Sequence, residues 1–288
     1  MSAAERQTEA REGGVAIRAE GLTVSYGPKI IQRDLNFSVR RGDVFVIMGG
    51  SGCGKSSLMR VLMGLLPPGA GRVLYGGEDF WAAASARRAE IMRRVGVLFQ
   101  SGALWSSRTL AENVTLPLEY YTALPPRARR SIASLKLAQV GLAGFEDYYP
   151  SEISGGMKKR AGLARALALA LDPEIVFFDE PSAGLDPLSA AQLDELILEL
   201  RDSMGMTVIM VTHELPSIFA VADDAVFLDA KLRTLTAQGS PRELLRRGPA
   251  EVARFLRRGK GAEDETTEDA GGDAPDGVRA KRAPGAAI

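Results

Sequence analysis

Short, continuous apolar runs alternate with longer stretches of helical character along this chain. "DVFVIMGG", "RVGVLFQ", "EIVFFDE" and "MTVIMVTHE" are each too short for a buried helix and carry no polar alternation. That pattern predicts central parallel strands covered by helices on both faces. "LNFSVR" differs, because Leu35, Phe37 and Val39 alternate with polar neighbours, as a half-exposed antiparallel strand requires. After "VLFQ" the character changes: "TLAENVTLPLEYY" and "PRARRSIASLKLAQVGL" read as helices separated by Pro125-Pro126. The predicted fold is α/β, a mixed sheet whose central parallel strands are flanked by helices. It adds an antiparallel β edge and an inserted α-helical subdomain at roughly residues 102–170.

The two ends do not share this rhythm. Residues 1–14 read as a loose polar arm, and residues 15–259 form the folded domain. The segment 260–288, "KGAEDETTEDAGGDAPDGVRAKRAPGAAI", has almost no apolar content and is predicted to be a disordered, solvated tail. The chain has 36 Lys plus Arg against 36 Asp plus Glu, so no overall field draws it to nucleic acid or an anionic bilayer. "ALALALDPEIVFF" is broken by Asp172 and Pro173, well short of a membrane span, and the N-terminus carries no hydrophobic signal segment. One Cys and one His exclude a disulfide framework and a Cys/His zinc site. These features predict a protein of the reducing cytoplasm.

Candidate chemistry begins in "VFVIMGGSGCGKSSLMRVLMGLL". Here Gly49-x-x-x-x-Gly54-Lys55-Ser56 follows a buried strand and opens a helix, which is the context of a phosphate-binding P-loop. Its glycines let successive N–H groups turn inward, and the helix dipole adds to them. Lys55 reaches the β- and γ-phosphates and the Ser56 hydroxyl ligates Mg2+. Cys53 fills a variable position of the loop as a small residue, with the further expectation that a thiol beside a nucleotide confers sensitivity to alkylation.

Asp179 and Glu180 end another buried strand, where open α/β sheets place their ligands. Asp179 suits Mg2+ through its water shell, and Glu180 suits a base that orients the attacking water. His213, the single histidine, ends a further core strand and is placed to hold the γ-phosphate, the water and Glu180 in line. Gln100 ends "VGVLFQ" in the same way, with its amide within reach of metal or water at the start of the helical subdomain. Tyr26, in "LTVSYGPK", has two readings, a strand-end aromatic packed on the core or a ring offered to a base. "EISGGMKKRAGLARALA" opens a helix on Ser154, Gly155 and Gly156. It resembles half a phosphate site, without a lysine or metal ligand of its own.

In chain order the phosphate loop, Gln100, the "SGG" helix start, Asp179-Glu180, "SAGLD" and His213 together resemble the nucleotide-binding subunit of ABC transporters, over roughly residues 15–245. The resemblance implies a P-loop NTPase core that binds ATP and Mg2+ and hydrolyses ATP. It makes Tyr26 the adenine-stacking residue and assigns Gly49, Gly50, Ser51, Gly52, Cys53, Gly54, Lys55, Ser56 and Ser57 to the Walker A loop. Gln100 becomes the Q-loop glutamine, with Asp179 and Glu180 the Walker B pair. "SAGLD", ending at Asp186, becomes the D-loop, and His213 the switch histidine. Lys55, Gln100, Glu180 and His213 carry catalysis on this pattern, and Ser56, Gln100 and Asp179 hold the metal.

The same resemblance accounts for the half site. Family subunits dimerise head to tail, so Ser154, Gly155 and Gly156 would complete an ATP pocket whose Walker A belongs to a second copy of the chain. Two residues depart from the usual signature. Ile153 stands for Leu, and Met157 stands for Gln and cannot make that residue's hydrogen bonds. Met157, Ala161, Ala164, Ala168 and Leu171 fall on one helical face, which gives Met157 a packing role. Lys158, Lys159 and Arg160 read most simply as a solvated face, with phosphate binding as the alternative.

"FQSGALWSSRTLAENVTLPL", "YPSEISGGMKKRAGLARALAL" and "THELPSIFAVADDAVFLD" look like the ATPases of Mla-type systems. Those pair with an integral membrane permease and an MCE-domain substrate-binding protein to move phospholipids or other hydrophobic molecules between membranes. The implied location is the cytoplasmic face of the bacterial inner membrane, held there by the permease. Import of a small solute such as an amino acid or ion is the alternative within transport. A non-transport ATPase acting on DNA or ribosomes fits less well. Ser56 and Ser154 are too close in sequence to flank a long coiled coil, there is one cassette, and the charge is balanced.

Overall fold

Strands β3 (Val44–Gly49), β7 (Ile175–Asp179) and β8 (Thr207–Val211) are the centre of the fold, and their apolar runs are buried on both faces. The computed structural model describes residues 14–168 and 173–257. The predicted arm up to residue 13, the whole of the predicted tail at 260–288, and Leu171 lie outside the described residues.

The main sheet has six strands in the order β10-β9-β3-β8-β7-β6. β6 (Val95–Leu98), β7, β8, β3 and β9 (Asp224–Asp229) run parallel, and β10 (Thr234–Gly239) closes the edge antiparallel to β9. The run "RVGVLFQ" was expected to be central. It forms the other edge of the sheet instead, and Val95 and Val97 are only half-buried there. A second sheet, ordered β2-β1-β4-β5, is antiparallel throughout. It is built from β1 (Val15–Tyr26), β2 (Lys29–Arg40), β4 (Ala70–Tyr75) and β5 (Glu78–Asp79). "LNFSVR" lies in β2, with Leu35, Phe37 and Val39 buried as its alternation predicts.

Each face of the main sheet has its own core. Phe45, Ile47, Phe177, Ile209 and Val226 join the antiparallel sheet and the P-loop helix α1 (Lys55–Leu62), burying Leu58, Met59, Val61 and Leu62. Alternate residues of the same strands, Val46, Met48, Val176, Phe178, Val208 and Met210, pack on the other side against the helices that follow β6 in the chain. A short helix α2 (Ser85–Met92) precedes β6. Residues 102–168 then carry α3 (Leu110–Tyr121), α4 (Pro126–Gln139), a 3-10 turn at Pro150–Glu152 and α5 (Gly155–Ala166). Thr109 and Glu112 form a reciprocal capping box that starts α3, Pro126 sits in the first turn of α4, and Ser154 caps α5. α6 (Pro187–Met204) and α7 (Leu215–Val221) follow β7 and β8, and α8 (Pro241–Arg247) and α9 (Ala250–Arg257) complete the described chain.

Glycine sets how closely α5 approaches the sheet. A Cβ on Gly96 would lie 2.6 Å from the Ala166 carbonyl oxygen, and one on Gly162 would lie 2.8 Å from Leu98 Cδ1 and 3.0 Å from the Gly102 backbone. Gly96→Ala must push backbone against backbone. We expect it to lower the urea unfolding free energy by about 1–3 kcal/mol. A change within about 0.5 kcal/mol would show that the helix can retreat at no cost.

Candidate functional site

β3, β8, β7 and β6 are neighbours in that order and parallel, so their carboxyl ends meet at one edge of the sheet. At that edge stand the P-loop after β3, His213 after β8, Asp179 and Glu180 at β7, and Gln100 after β6.

The P-loop leaves β3 at Gly49 with φ of 148°. A Cβ there would strike the Leu228 carbonyl oxygen at 2.5 Å and Cys53 Sγ at 2.7 Å. Gly54 caps α1 in a left-handed conformation, φ 99°, with no room for a Cβ beside Ile31. Inside the loop Lys55 Nζ donates to the carbonyls of Gly49 at 3.0 Å and Gly50 at 3.2 Å. Ser51, Gly52 and Ser56 are exposed, with Ser57 half-buried. Gln32 was not picked out from sequence. It is fully buried in β2, where its amide donates to the carbonyls of Cys53 at 2.6 Å and Asp229 at 3.1 Å. It therefore ties the loop to both sheets. Cys53 is buried, and burial pushes its thiol above the usual range, with Lys55 opposing more weakly. That makes it the small filler of the two readings and argues against the alkylation expectation.

Asp179 is half-buried. Burial first and the neighbouring Glu180 charge second raise its carboxyl above the usual carboxylate range, while Arg60, a Ser56 hydrogen bond and Lys55 pull it back. Glu180 takes a left-handed backbone conformation, φ 52°, and its N–H extends the strand pairing to the Val211 carbonyl at 2.8 Å. Both carboxylate oxygens lie 2.9 Å from His213 Nδ1. A carboxylate only accepts, so Nδ1 carries the proton in this arrangement. The Glu180 side chain is 13% exposed and His213 58%, so the acid is sheltered and the imidazole faces outward. Gln100 is exposed on the turn that follows β6.

Tyr26 ends β1 as a residue 42% exposed, which rules out the core-packing reading. Its hydroxyl lies 3.4 Å from Ser57 Oγ and accepts from Arg60 at 3.1 Å. Those two hydrogen bonds, Ser57 first, lower its pKa. Asp186 caps α6 by accepting from the Ser189 N–H at 3.0 Å, and its bonds to Ser189 hold the carboxyl below the usual range.

Ser154, Gly155 and Gly156 are not brought to the P-loop. Ser154 Oγ accepts from the Met157 N–H at 3.2 Å, and α5 packs on α3, α4, α6 and β6. Ser154 and Gly155 are exposed, so the first-turn amides of α5 face outward. Met157 is half-buried against the core, while Ala161, Ala164 and Ala168 are fully buried.

The solvated-face reading fails for Lys159. It is 6% exposed, and its ammonium donates to the Ala183 carbonyl at 2.5 Å and approaches that of Glu180 at 3.5 Å. Burial lowers its pKa and Glu180 opposes that shift. Lys159 thus bridges α5 to the turn that holds the catalytic candidate. A basic run at a helix start gave no sign of it, because the receiving carbonyls come from a distant segment. Arg165 does the same on the other side, donating to Gly102 at 2.8 Å and Ala103 at 2.6 Å beside Gln100.

The sequence model of the family described as ABC transporter matches residues 32–183, just over half of the chain. The chain belongs to the ABC transporter family. It is 38% identical to the intermembrane phospholipid transport system ATP-binding protein MlaF of Haemophilus influenzae, over 84% of this chain and 90% of the relative. It is 39% identical to MlaF of Escherichia coli K12, over 85% and 90%. It is 40% identical to the probable ribonucleotide transport ATP-binding protein mkl of Mycobacterium tuberculosis H37Rv, over 88% and 69%.

Among solved structures it is similar to cbiO1 of Clostridium perfringens, part of the ABC transporter complex cbiONQ. That match has a TM-score of 0.74 and 26% identity, and covers 85% of this chain and 96% of the other. A dimeric ATP-binding cassette in a post-hydrolysis state with ADP and Pi matches with a TM-score of 0.69 and 27% identity, covering 78% and 98%. This ABC protein binds ATP and is an ATPase.

Two outcomes follow from the geometry. Lys159→Met keeps the packing volume and loses the donor, so kcat for ATP should fall about tenfold with KM little changed, and Lys159→Arg should recover part of it. Unchanged kcat in the Met variant would remove Lys159 from this role. Iodoacetamide at neutral pH should leave native Cys53 unmodified and ATPase activity intact, as read by intact mass and phosphate release.

Proposed function

We propose that this chain is the ATP-hydrolysing motor subunit of a bacterial transporter that moves phospholipids or other hydrophobic molecules between membranes. The observation that carries the motor reading is Glu180, sheltered at the sheet edge beside the P-loop with its carboxylate held by His213. On this reading the Walker A loop from Gly49 to Ser57 holds the phosphates. Lys55 turns from its own loop carbonyls to the β- and γ-phosphates, and Tyr26 offers its exposed ring to adenine. Glu180 orients the water and accepts its proton, and His213 positions Glu180.

The oxygen donors fit magnesium. The Ser56 hydroxyl is near enough to Asp179 to favour its charged form, and Gln100 stands at the end of β6 on the same edge. No cluster of three acidic, His or Cys ligands occurs among the described residues, as suits an ion bound by one carboxylate, a hydroxyl and phosphate oxygens. The ion would supply charge neutralisation to the β- and γ-phosphates.

The outward amides of Ser154, Gly155 and Gly156 suit an anion brought by another molecule, so each ATP lies between this chain's P-loop and a second copy's α5, with Asp186 at the same interface. ATP then favours the closed pair and hydrolysis releases it. Exposed aromatic residues gather around the helical region, among them Trp105, Tyr120, Tyr121, Tyr148 and Tyr149. They suit docking on an integral membrane permease. No helix among the described residues is long and apolar enough to cross a membrane. The chain then sits peripherally on the permease at the cytoplasmic face of the inner membrane, with an MCE-type substrate-binding protein in the same system.

The lipid cargo is supported by the MlaF relatives, matched over nine-tenths of their length. The mkl relatives carry a different cargo in their name, ribonucleotides, and keep a ribonucleotide transporter as the second reading. The chain is to be purified from detergent extract with its permease, followed by mass spectrometry of bound lipid and ATPase assays with phospholipid or ribonucleotide. Phospholipid in the complex and stimulation by phospholipid alone support the first reading. Stimulation by ribonucleotide alone favours the second, and recovery with ribosomes or DNA and no membrane protein sinks both.

For the motor itself, Glu180→Gln should keep ATP binding, lose at least about a hundredfold in turnover and elute as an ATP-dependent dimer. Near-normal hydrolysis would remove Glu180 from the base role. Ser154→Arg should abolish hydrolysis while monomer nucleotide affinity stays unchanged. Loss of that affinity would count against a site shared between two copies.

A further inference from the structure

Helices α6 and α7 flank a partly open cavity of roughly 320 Å3, none of whose lining residues belongs to the P-loop. Its walls are largely apolar, with Leu185, Leu198 and Pro216 among them. Three carboxylates line it, Asp194, Glu195 and Glu214, and no lysine or arginine does.

Asp194 makes this a built site. The residue is 5% exposed, and its Oδ1 finds no hydrogen-bond partner. Burial pushes the carboxyl above the usual carboxylate range, and the nearby Ser217 hydroxyl opposes that rise. An acceptor left bare in a protein interior is costly, and the site gains from any ligand that brings an N–H. One ordered water would meet that need and leave most of the space unfilled, since the cavity is about ten times the volume a water occupies in the liquid. A ligand that satisfies the whole cavity has a positively charged N–H head for the carboxylates and an apolar body for the walls.

We propose that this cavity is a binding site for a small amphipathic cation, an amine or guanidinium on an apolar body, with its head on Asp194. The site lies between two segments of the ATPase machinery. α6 starts at Asp186, α7 follows His213 and Glu214, and Ser217 Oγ is 3.4 Å from Ser182 Oγ in the turn after Glu180. Occupancy sets the spacing of α6 and α7 and thereby regulates ATP turnover. This regulatory part rests on the roles proposed above for Asp186 and His213, whereas binding does not.

Benzamidine, a flat aromatic with a cationic head, is the probe, and benzoate is its anionic counterpart. Titrated into the full chain, benzamidine should bind saturably with a Kd of about 1 mM and raise the thermal midpoint, and benzoate should do neither. Saturating ATP should not displace it. Asp194→Asn should weaken benzamidine at least about tenfold. Ala220→Trp, at an exposed position that lines the cavity, should weaken it similarly by filling the space, and decides the matter alone if the Asn variant does not fold. Absence of saturable binding, equal binding of benzoate, or wild-type affinity in the Trp variant overturns the site. If benzamidine binds but leaves ATP turnover unchanged, the regulatory part is overturned and the site stands. ATPase activity in the absence of benzamidine tests the motor reading separately.

Discussion

Glu180 has to leave the sheet in a left-handed conformation, and much of the site exists to keep it there. A φ of 52° on a residue with a side chain costs about 1–3 kcal/mol, so the turn persists only if other contacts hold it. Three do, from two other parts of the chain. The N–H is bound by Val211 of β8, the turn's carbonyls by Lys159 of α5, and the carboxylate by His213 after β8. The backbone aims the carboxylate along the sheet edge, and the three contacts fix that aim without using a loop's own rigidity.

The order of the strands explains why those contacts converge. β8 lies between β3 and β7, so His213 emerges between the P-loop and the acidic pair. Parallel pairing makes every one of these strands end on the same side, and each apolar run is terminated by the polar residue it delivers there. Burial on both faces fixes the register, because a slip of one residue would exchange the two cores on either side of the sheet.

The features legible in the sequence were those set by local chemistry. Continuous apolar runs marked β3, β7 and β8, glycines that no Cβ could replace marked the P-loop, and Thr109 and Ser154 marked helix starts. The antiparallel sheet was legible only in β2. β1 carries register shifts between Ala19 and Leu22 and again towards Ser25, which break the period of two that a strand reading needs. Lys159, Gln32 and Asp194 were illegible for another reason. Each is a polar residue whose burial depends on carbonyls, hydroxyls or a cavity contributed from far along the chain, and side-chain type alone does not report such partners.

The same long-range contacts bear on how the two halves of an ATP site would communicate. α5 is tied at Lys159 to the turn after Glu180 and at Arg165 to the turn after Gln100, while glycines at 96, 102 and 162 let the backbones touch. Close packing of this kind transmits displacement, because there is no slack for side chains to absorb. On the proposed reading the amino end of α5 senses the partner's nucleotide, and its body is bolted to this chain's own catalytic turn and to the start of the helical region. Cations clamped on backbone carbonyls, Lys159 buried and Arg165 half-buried, suit that task better than side-chain ion pairs. Their acceptors move only when the main chain moves, so they couple the positions of segments and not only the charge states of residues.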